Sequence, residues 1–308
     1  MLALTTTGDA ELLVLTEVPE PEPIATEALI RVSATSLNRG EIIRSAAAPP
    51  GQRPGWDVVG VVERAAESGG GPPAGATVVG LMSTGGWGEL VAVPAEYLAV
   101  IPDGVTPAQA ACLPVAGMTA FRALSLGGFP VGKRVLITGA SGGVGHLAVQ
   151  LARSVQMTVT GLIRNPAADA GAAASCHHVI RDIADAEGPY DHVLDGVGGA
   201  VLTRCLEVVA PHGLVVSYAS TLMDPAALGP RWFGAHLGAT LRSLLLFDEL
   251  PHTQSAASDL AALCTLVASG VLKIHIDVEA DWARAGALAR DLLERRVTGK
   301  VVLRIGTH

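Results

Sequence analysis

Basic residues are scarce in this chain of 308 residues, with 21 Lys and Arg against 29 Asp and Glu and a net charge of −8. No cluster of them is dense enough to neutralise a run of phosphates, so nucleic acid is not expected as a partner. Charged residues make up 16% and hydrophobic ones 49%. No apolar run, however, reaches the roughly 18 to 20 residues that carry a helix across a bilayer, and a membrane partner is not expected either. Met1 to Gly8 lacks a basic segment followed by an apolar one, so no secretory signal is expected and a cytoplasmic compartment is. Cysteine is sparse too. Cys112, Cys176, Cys205 and Cys264 lie far apart with no C-x-x-C pair, which points to reduced, buried thiols rather than a metal cluster. His177 and His178 precede the apolar Val179 and Ile180, and neighbours on a strand face opposite ways, which argues against zinc there.

What the chain has is apolar residues in two textures. The first hundred residues hold short β-like runs, Ala28 to Ala34, Val58 to Glu63, Ala76 to Leu81 and Leu90 to Val93, punctuated by Pro and Gly. From about Pro114 apolar strands alternate with Ala- and Leu-rich helices, the pattern of βαβ units on a parallel sheet. Six strands are expected there: Arg134 to Thr138, Thr158 to Ile163, His178 to Ile180, His192 to Asp195, Gly213 to Tyr218 and Thr240 to Leu246. That is the number in a complete doubly wound dinucleotide domain. Helices are expected over Ser255 to Ser269 and Asp281 to Arg296, then a closing strand over Lys300 to Ile305 that returns to the first domain. The fold class is α/β in two domains: a β-rich one over 1–115 and 250–308, and a parallel-sheet one over 116–249.

Lys133-Arg-Val-Leu-Ile-Thr-Gly-Ala-Ser-Gly-Gly-Val-Gly-His146 reads as a buried strand, a glycine turn and a helix start near Gly143. Ala140, Gly142 and Gly145 stand on the dinucleotide spacing, with Ser141, Gly143 and Val144 between them. A turn without β-carbons lets the backbone approach a pyrophosphate, and the helix N-terminus favours its charge. The alternative is a strand-helix corner with no ligand.

Several motifs in order resemble the medium-chain dehydrogenase/reductase superfamily, closest to its zinc-free quinone oxidoreductase and enoyl reductase branch. Ser36-Leu-Asn-Arg-Gly-Glu41 resembles the branch's Asn-x-x-Asp segment, and Pro54-Gly-Trp-Asp-Val-Val-Gly-Val-Val62 its Pro-Gly-x-Glu-x-x-Gly-x-Val strand. Gly85-Gly-Trp-Gly-Glu-Leu-Val-Ala-Val-Pro94, the Thr119-Ala120 pair, Asp195-Gly-Val-Gly-Gly199 and Gly299-Lys-Val-Val-Leu303 complete the set. The resemblance implies a GroES-like catalytic domain, a Rossmann domain and a nicotinamide cofactor. Zinc-dependent members carry Cys where this chain has Asn38, and Gly-His-Glu where it has Gly55-Trp56-Asp57. Asn and Trp do not replace a thiolate and an imidazole, so no metal is expected.

An NAD-type domain carries an acidic residue about 20 positions past the glycines. Here Gly161-Leu-Ile-Arg-Asn-Pro166 has none, and Arg164, with Arg181 after the third strand, would pair with a 2′-phosphate. NADPH is the expected cofactor; the alternative is that Arg164 is a solvated turn residue. By resemblance Thr119, Gly196 and Val197 approach the cofactor. Ala219, Ser220, Leu246 and Phe247 follow the fifth and sixth strands, where open α/β sheets place ligands, although Phe247 would equally serve as core. Asn38 is expected to contact substrate or nicotinamide, donating to a developing enolate oxygen, or else to cap the helix that begins near Arg39. Trp56 would wall the substrate pocket or pack in the core, and Arg44 would bind an anionic group or be solvated.

The expected chemistry is hydride transfer from NADPH to a quinone or to the C=C bond of an α,β-unsaturated carbonyl, with a small-molecule substrate. Two alternatives stand beside it: a biosynthetic tailoring reductase or reductive cyclase acting on a polyene or enone intermediate, and a non-catalytic NADPH-binding protein. Thr240 to Leu246 is apolar enough for the edge strand of a homodimer.

Overall fold

The computed structural model describes residues 1–165, 169–222, 224–230, 232–250 and 256–306. The chain divides into two compact units, one formed by 1–118 with 250–308 and the other by 119–249.

The first unit begins with strands β1 (Leu2–Thr6) and β2 (Leu13–Glu17), then β3 (Glu27–Leu37), helix α1 (Arg39–Ala46), β4 (Asp57–Arg64), β5 (Thr77–Leu81), β6 (Leu90–Pro94), β7 (Leu98–Val100) and the short α2 (Pro107–Ala111). β3 forms because alternate residues, Ala28, Ile30, Val32 and Ala34, are apolar and buried while Arg31 and Ser33 face out. A π-helical turn, Leu113–Gly117, closes this part of the unit.

The second unit holds α3 (Met118–Ser125), β8 (Arg134–Ile137), α4 (Gly143–Ser154), β9 (Thr158–Leu162), α5 (Ala170–Ala174), β10 (His178–Ile180), β11 (Tyr190–Asp195), α6 (Gly199–Val208), β12 (Val209–Ser217), α7 (Trp232–Ala235), β13 (Thr240–Ser243) and α8 (Leu246–Glu249). Its six strands pair in the order β10-β9-β8-β11-β12-β13, all parallel. This is the doubly wound arrangement, and its strand order reverses between β8 and β11, where such sheets open a ligand crevice. α4 packs through Leu147, Ala148, Leu151 and Ala152, a helical stripe, all of them buried.

The chain then returns to the first unit with α9 (Ala256–Ala268), β14 (Ile276–Asp281), α10 (Ala285–Leu293) and β15 (Lys300–Arg304). Ser255, the expected first residue of α9, lies outside the described residues. β15 runs antiparallel to β3, pairing Val301 with Leu37, and completes a sheet ordered β14-β15-β3-β4-β5-β7, with β6 on the other part of β3. Trp87 and Trp282, both fully buried, fill the core of this unit.

Two sequence expectations are corrected. The sixth parallel strand stops at Ser243, so Leu246 belongs to α8. The last long helix starts later than Asp281, which ends β14 and accepts a hydrogen bond from the Ala283 N–H at 2.8 Å to open a 3-10 turn before α10. An Asp at such a junction reads as a helix cap and masks the strand ahead of it.

His192 on β11 is 1% exposed, and burial, with the Lys133 charge, lowers its pKa from 6.5 to about 4. The folded chain therefore binds this proton less readily than the unfolded one. Stability is fully present above the unfolded pKa and is lost as pH falls towards the folded one, by about 3 kcal/mol at pH 4. Urea titrations of the wild type and His192→Leu at pH 7 and pH 4 measure it: the wild type should lose that much more on acidification. Equal losses would remove His192 as the cause.

Candidate functional site

Each unit gathers its own set of functional side chains. In the second, β8 leads into a turn whose Gly142 is the N-cap of α4, and no side chain caps that end. The first N–H groups of the helix are thus left for an acceptor from outside the fold. Gly145 is required by close packing: a Cβ there would stand 2.2 Å from the Gly139 carbonyl oxygen and 2.8 Å from the Ala140 Cα. The cradle is made of backbone, which fits a pyrophosphate. Ala140 is buried beneath it, and Ser141, Gly142, Gly143 and Val144 lie on its outer side, half-buried or exposed.

Asp195 ends β11 with its side chain fully buried. Its Oδ1 accepts from the Thr138 hydroxyl at 2.7 Å and the Val197 N–H at 3.2 Å, and its Oδ2 from the Gly198 N–H at 3.0 Å. One carboxylate thereby ties the end of β8 to the glycine turn after β11. Burial raises its pKa, and those three hydrogen bonds oppose the rise. Gly198 has φ +81°, and a Cβ on it would lie 2.2 Å from the Ser220 Oγ. The Thr221 N–H donates to the Val197 carbonyl at 2.8 Å. Gly196, Val197, Ala219 and Ser220 are therefore brought together at the carboxyl ends of β11 and β12, and a Cβ on Gly139 of the first turn would lie 3.8 Å from the Val197 side chain.

At the neighbouring strands the register pairs Leu162 with Ile180, so Arg164 follows two residues after the last pair and Arg181 one. Both arginines are exposed and leave the sheet at the same end. No acidic residue lies between Gly161 and Asn165. Thr119 is 6% exposed at the start of α3. Leu246 is 4% exposed in α8, while Phe247 is half-buried.

In the first unit Asn38 is the N-cap of α1, and the sequence-level alternative of a cap is what the geometry gives it. Its backbone N–H and Nδ2 donate to Glu41 Oε2 at 3.3 and 3.4 Å, and Nδ2 also donates to Asp57 Oδ2 at 2.8 Å. The Lys300 ammonium donates to Asn38 Oδ1 at 2.7 Å and to the Leu37 carbonyl at 3.1 Å. Both ends of the amide therefore have partners within the first unit. Asp57, 0% exposed, also accepts from the Ser36 hydroxyl and, on Oδ1, from the Val115 N–H at 2.9 Å. Burial, then the Asp57 charge, pushes Glu41 well above the ordinary carboxylate range against the pull of Lys300. Burial likewise pushes the Cys112 thiol up to about 12. Sequence reasoning missed Glu41, Asp57 and Lys300 as one cluster; the only signal was that each falls inside a motif.

Trp56 is half-buried, donates its indole N–H to the Ser83 carbonyl at 3.0 Å, and carries the Arg44 guanidinium 5.9 Å from its ring centre. Arg44 itself is exposed. An amide held by an ammonium and an indole bonded to a carbonyl are not zinc ligands.

The family described as alcohol dehydrogenase GroES-like domain matches residues 24–103, and the one described as zinc-binding dehydrogenase matches 174–303. A mycobacterial protein solved in complex with NADPH has the same fold, with a TM-score of 0.87 at 24% identity, covering 99% of this chain and 100% of that one. The chain is 31% identical to the spectinabilin polyketide synthase protein NorB of Streptomyces orinoci over 96% of its own length, but spans 14% of that protein, and it spans 8% of a pikromycin polyketide synthase component of Streptomyces venezuelae. To the chloroplastic quinone-oxidoreductase homolog of Spinacia oleracea it is 35% identical, over 96% of this chain and 95% of the other. On that match the chain belongs to the medium-chain dehydrogenase/reductase superfamily, in its quinone oxidoreductase branch.

Proposed function

We propose that the chain is a zinc-independent, NADPH-dependent oxidoreductase that reduces a small-molecule quinone or the C=C bond of an α,β-unsaturated carbonyl. The observation that carries this reading is the backbone cradle at the strand-order reversal, where uncapped α4, Gly145 and the turn held by Asp195 converge. NADPH, when bound, supplies hydride. The first turn of α4 would hold its pyrophosphate, Arg164 and Arg181 its 2′-phosphate, and Gly196, Val197, Ala219 and Ser220 its nicotinamide end. The NADPH complex of the mycobacterial neighbour supports this choice of nucleotide. Asp195 moves no proton in this reading; it holds the turn.

The kinship with polyketide synthase proteins supports a second reading of the substrate, a biosynthetic tailoring reductase or reductive cyclase acting on an enone or polyene intermediate. We also propose that the chain works in the cytoplasm, which its four free cysteines fit and where no helix among the described residues is long and apolar enough to cross a membrane. Its partner would be a second copy joined along the edge strand β13, where Leu241 is 50% exposed and the nearby Leu245 65%. Light scattering reads that state directly, and a monomer at micromolar concentration ends the idea.

Following NADPH oxidation against quinones, enones and enoyl thioesters tests the activity. Turnover should appear in at least one class, with kcat/KM well above that for NADH. Arg164→Ala should weaken NADPH binding about tenfold or more, the worth of one charge-assisted hydrogen bond, and leave NADH binding unchanged. Tight NADPH binding with no turnover in any class would replace the enzyme by a non-catalytic NADPH-binding protein, and equal use of NADH would sink the cofactor assignment.

A further inference from the structure

We infer that the Tyr218 hydroxyl is a hydrogen-bond donor to the nicotinamide riboside half of the bound nucleotide. This rests on the cofactor reading above and adds a phenol to a site so far built from backbone, small side chains and two arginines. Every residue involved belongs to the second unit. Tyr218 follows β12 directly, and its backbone N–H donates to the Asp195 carbonyl at 3.0 Å, which ties its main chain to the end of β11. Its side chain crosses that end. A Cβ built on Gly196 would stand 2.6 Å from the Tyr218 hydroxyl oxygen and 2.7 Å from its Cζ and Cε2. The Gly196 N–H in turn donates to the Thr138 hydroxyl at 3.0 Å, just past β8. The phenol tip thus lies beside the boundary between β8 and β11, where the strand order reverses and a doubly wound sheet receives its ligand.

Three observations make this hydroxyl a ligand group rather than a packing one. First, it has no hydrogen-bond partner among the described residues, and it is not one of the polar atoms sealed without partners in the interior. Neighbouring hydroxyls are engaged within the fold: Thr138 donates to Asp195 Oδ1 at 2.7 Å, Ser220 to the Leu222 carbonyl at 2.6 Å and Thr221 to the Val197 carbonyl at 3.3 Å. Second, packing asks for the ring and not for its oxygen. Gly196 is not in the left-handed region, so its lack of a side chain makes room for Tyr218, and the hydroxyl oxygen is the atom that crowds it most. A phenylalanine would lie there with less crowding, whereas a half-buried hydroxyl that meets nothing in the fold loses hydration and gains no bond in exchange. Third, the phenol keeps its proton: burial, then the Asp195 charge, pushes its pKa above the ordinary value. A neutral donor suits the carboxamide and ribose oxygens of the nicotinamide half. The adenosine half would lie at Arg164 and Arg181, past β9 and β10 on the other side of β8.

Calorimetric titration of the wild type and Tyr218→Phe with NADPH, and with 2′,5′-ADP, which lacks the nicotinamide half, tests the assignment. NADPH Kd should rise ~3- to 10-fold in Tyr218→Phe, the loss of one neutral hydrogen bond, while 2′,5′-ADP Kd should stay within about twofold. A folded Tyr218→Phe protein with the wild-type Kd for NADPH overturns the inference. So does a parallel loss of 2′,5′-ADP affinity, the mark of a displaced crevice rather than of one missing bond. The chain has three tyrosines, so fluorotyrosine NMR of the unmutated protein gives a second reading that does not depend on the variant folding. The resonance that survives in both Tyr97→Phe and Tyr190→Phe belongs to Tyr218; it should shift with NADPH and stay in place with 2′,5′-ADP. A Tyr218 resonance that NADPH leaves unmoved also overturns the inference. Failure of the cofactor reading looks different: the wild type then binds neither nucleotide, and the inference falls with it.

Discussion

Lys300→Met should cost the chain about 3–5 kcal/mol of folding stability, the penalty of leaving one partner of a buried pair without the other. The methionine fills nearly the same volume, so little of the loss comes from a cavity. It comes from Asp57, which sits at 0% exposure with its remaining donors, Ser36, Asn38 and Val115, all neutral. The Asn38 amide loses its ammonium at the same time, and the Leu37 carbonyl loses a donor. Denaturant unfolding of the single variants and of Lys300→Met with Asp57→Asn measures the coupling. The double variant should recover most of the loss, because the uncompensated charge is gone. If Lys300→Met unfolds at the wild-type denaturant concentration, the pair is not a buried ion pair in solution.

Gly145→Val has the next largest expected effect, and it falls on nucleotide binding. A Cβ at this position meets the Gly139 oxygen at 2.2 Å, a contact with backbone that no rotamer change relieves. The first turn of α4 must move away from β8, at a cost of roughly 1–3 kcal/mol in stability for an overpacked site. The N–H groups aimed at the pyrophosphate move with it. NADPH affinity should fall more than about 100-fold, since several charge-assisted hydrogen bonds are misaligned together. Gly142→Ala is the graded control: its Cβ would lie 3.2 Å from the same oxygen, a crowding that a few tenths of an ångström relieve. Fluorescence titration with NADPH and thermal unfolding separate the two effects. Wild-type affinity in a folded Gly145→Val protein would mean that the nucleotide does not use this turn.

How much of the molecule was legible in its sequence follows from the range of the forces involved. β8, the turn and α4 were read nearly to the residue, because a buried parallel strand, a glycine corner and a helical stripe are all set within about twenty positions. β1, β2, β7 and β14 were missed. β1 and β2 form a two-stranded sheet of five residues each, β7 has three residues, and β14 has one buried residue in six, so none carries a strong pattern of its own. β14 is a strand because β15 lies beside it.

The same limit divides the candidate sites. The missing carboxylate after β9, Arg164, and the glycines at 142 and 145 were visible because a nucleotide crevice is built from consecutive loops of one sheet. The company of Asn38 was not. Its amide is held by Asp57 at a separation of 19 residues and by Lys300 at 262, and no local pattern encodes a contact made by β15 crossing back to β3. The sequence by itself determined a glycine turn on the dinucleotide spacing, no acidic residue between Gly161 and Asn165, and Asn38 and Trp56 in the motifs where zinc-dependent members carry Cys and His. Only the tertiary structure decided that the half-buried Asn38 links an ammonium to two carboxyls, because that depends on charges which meet only when β15 crosses back to β3.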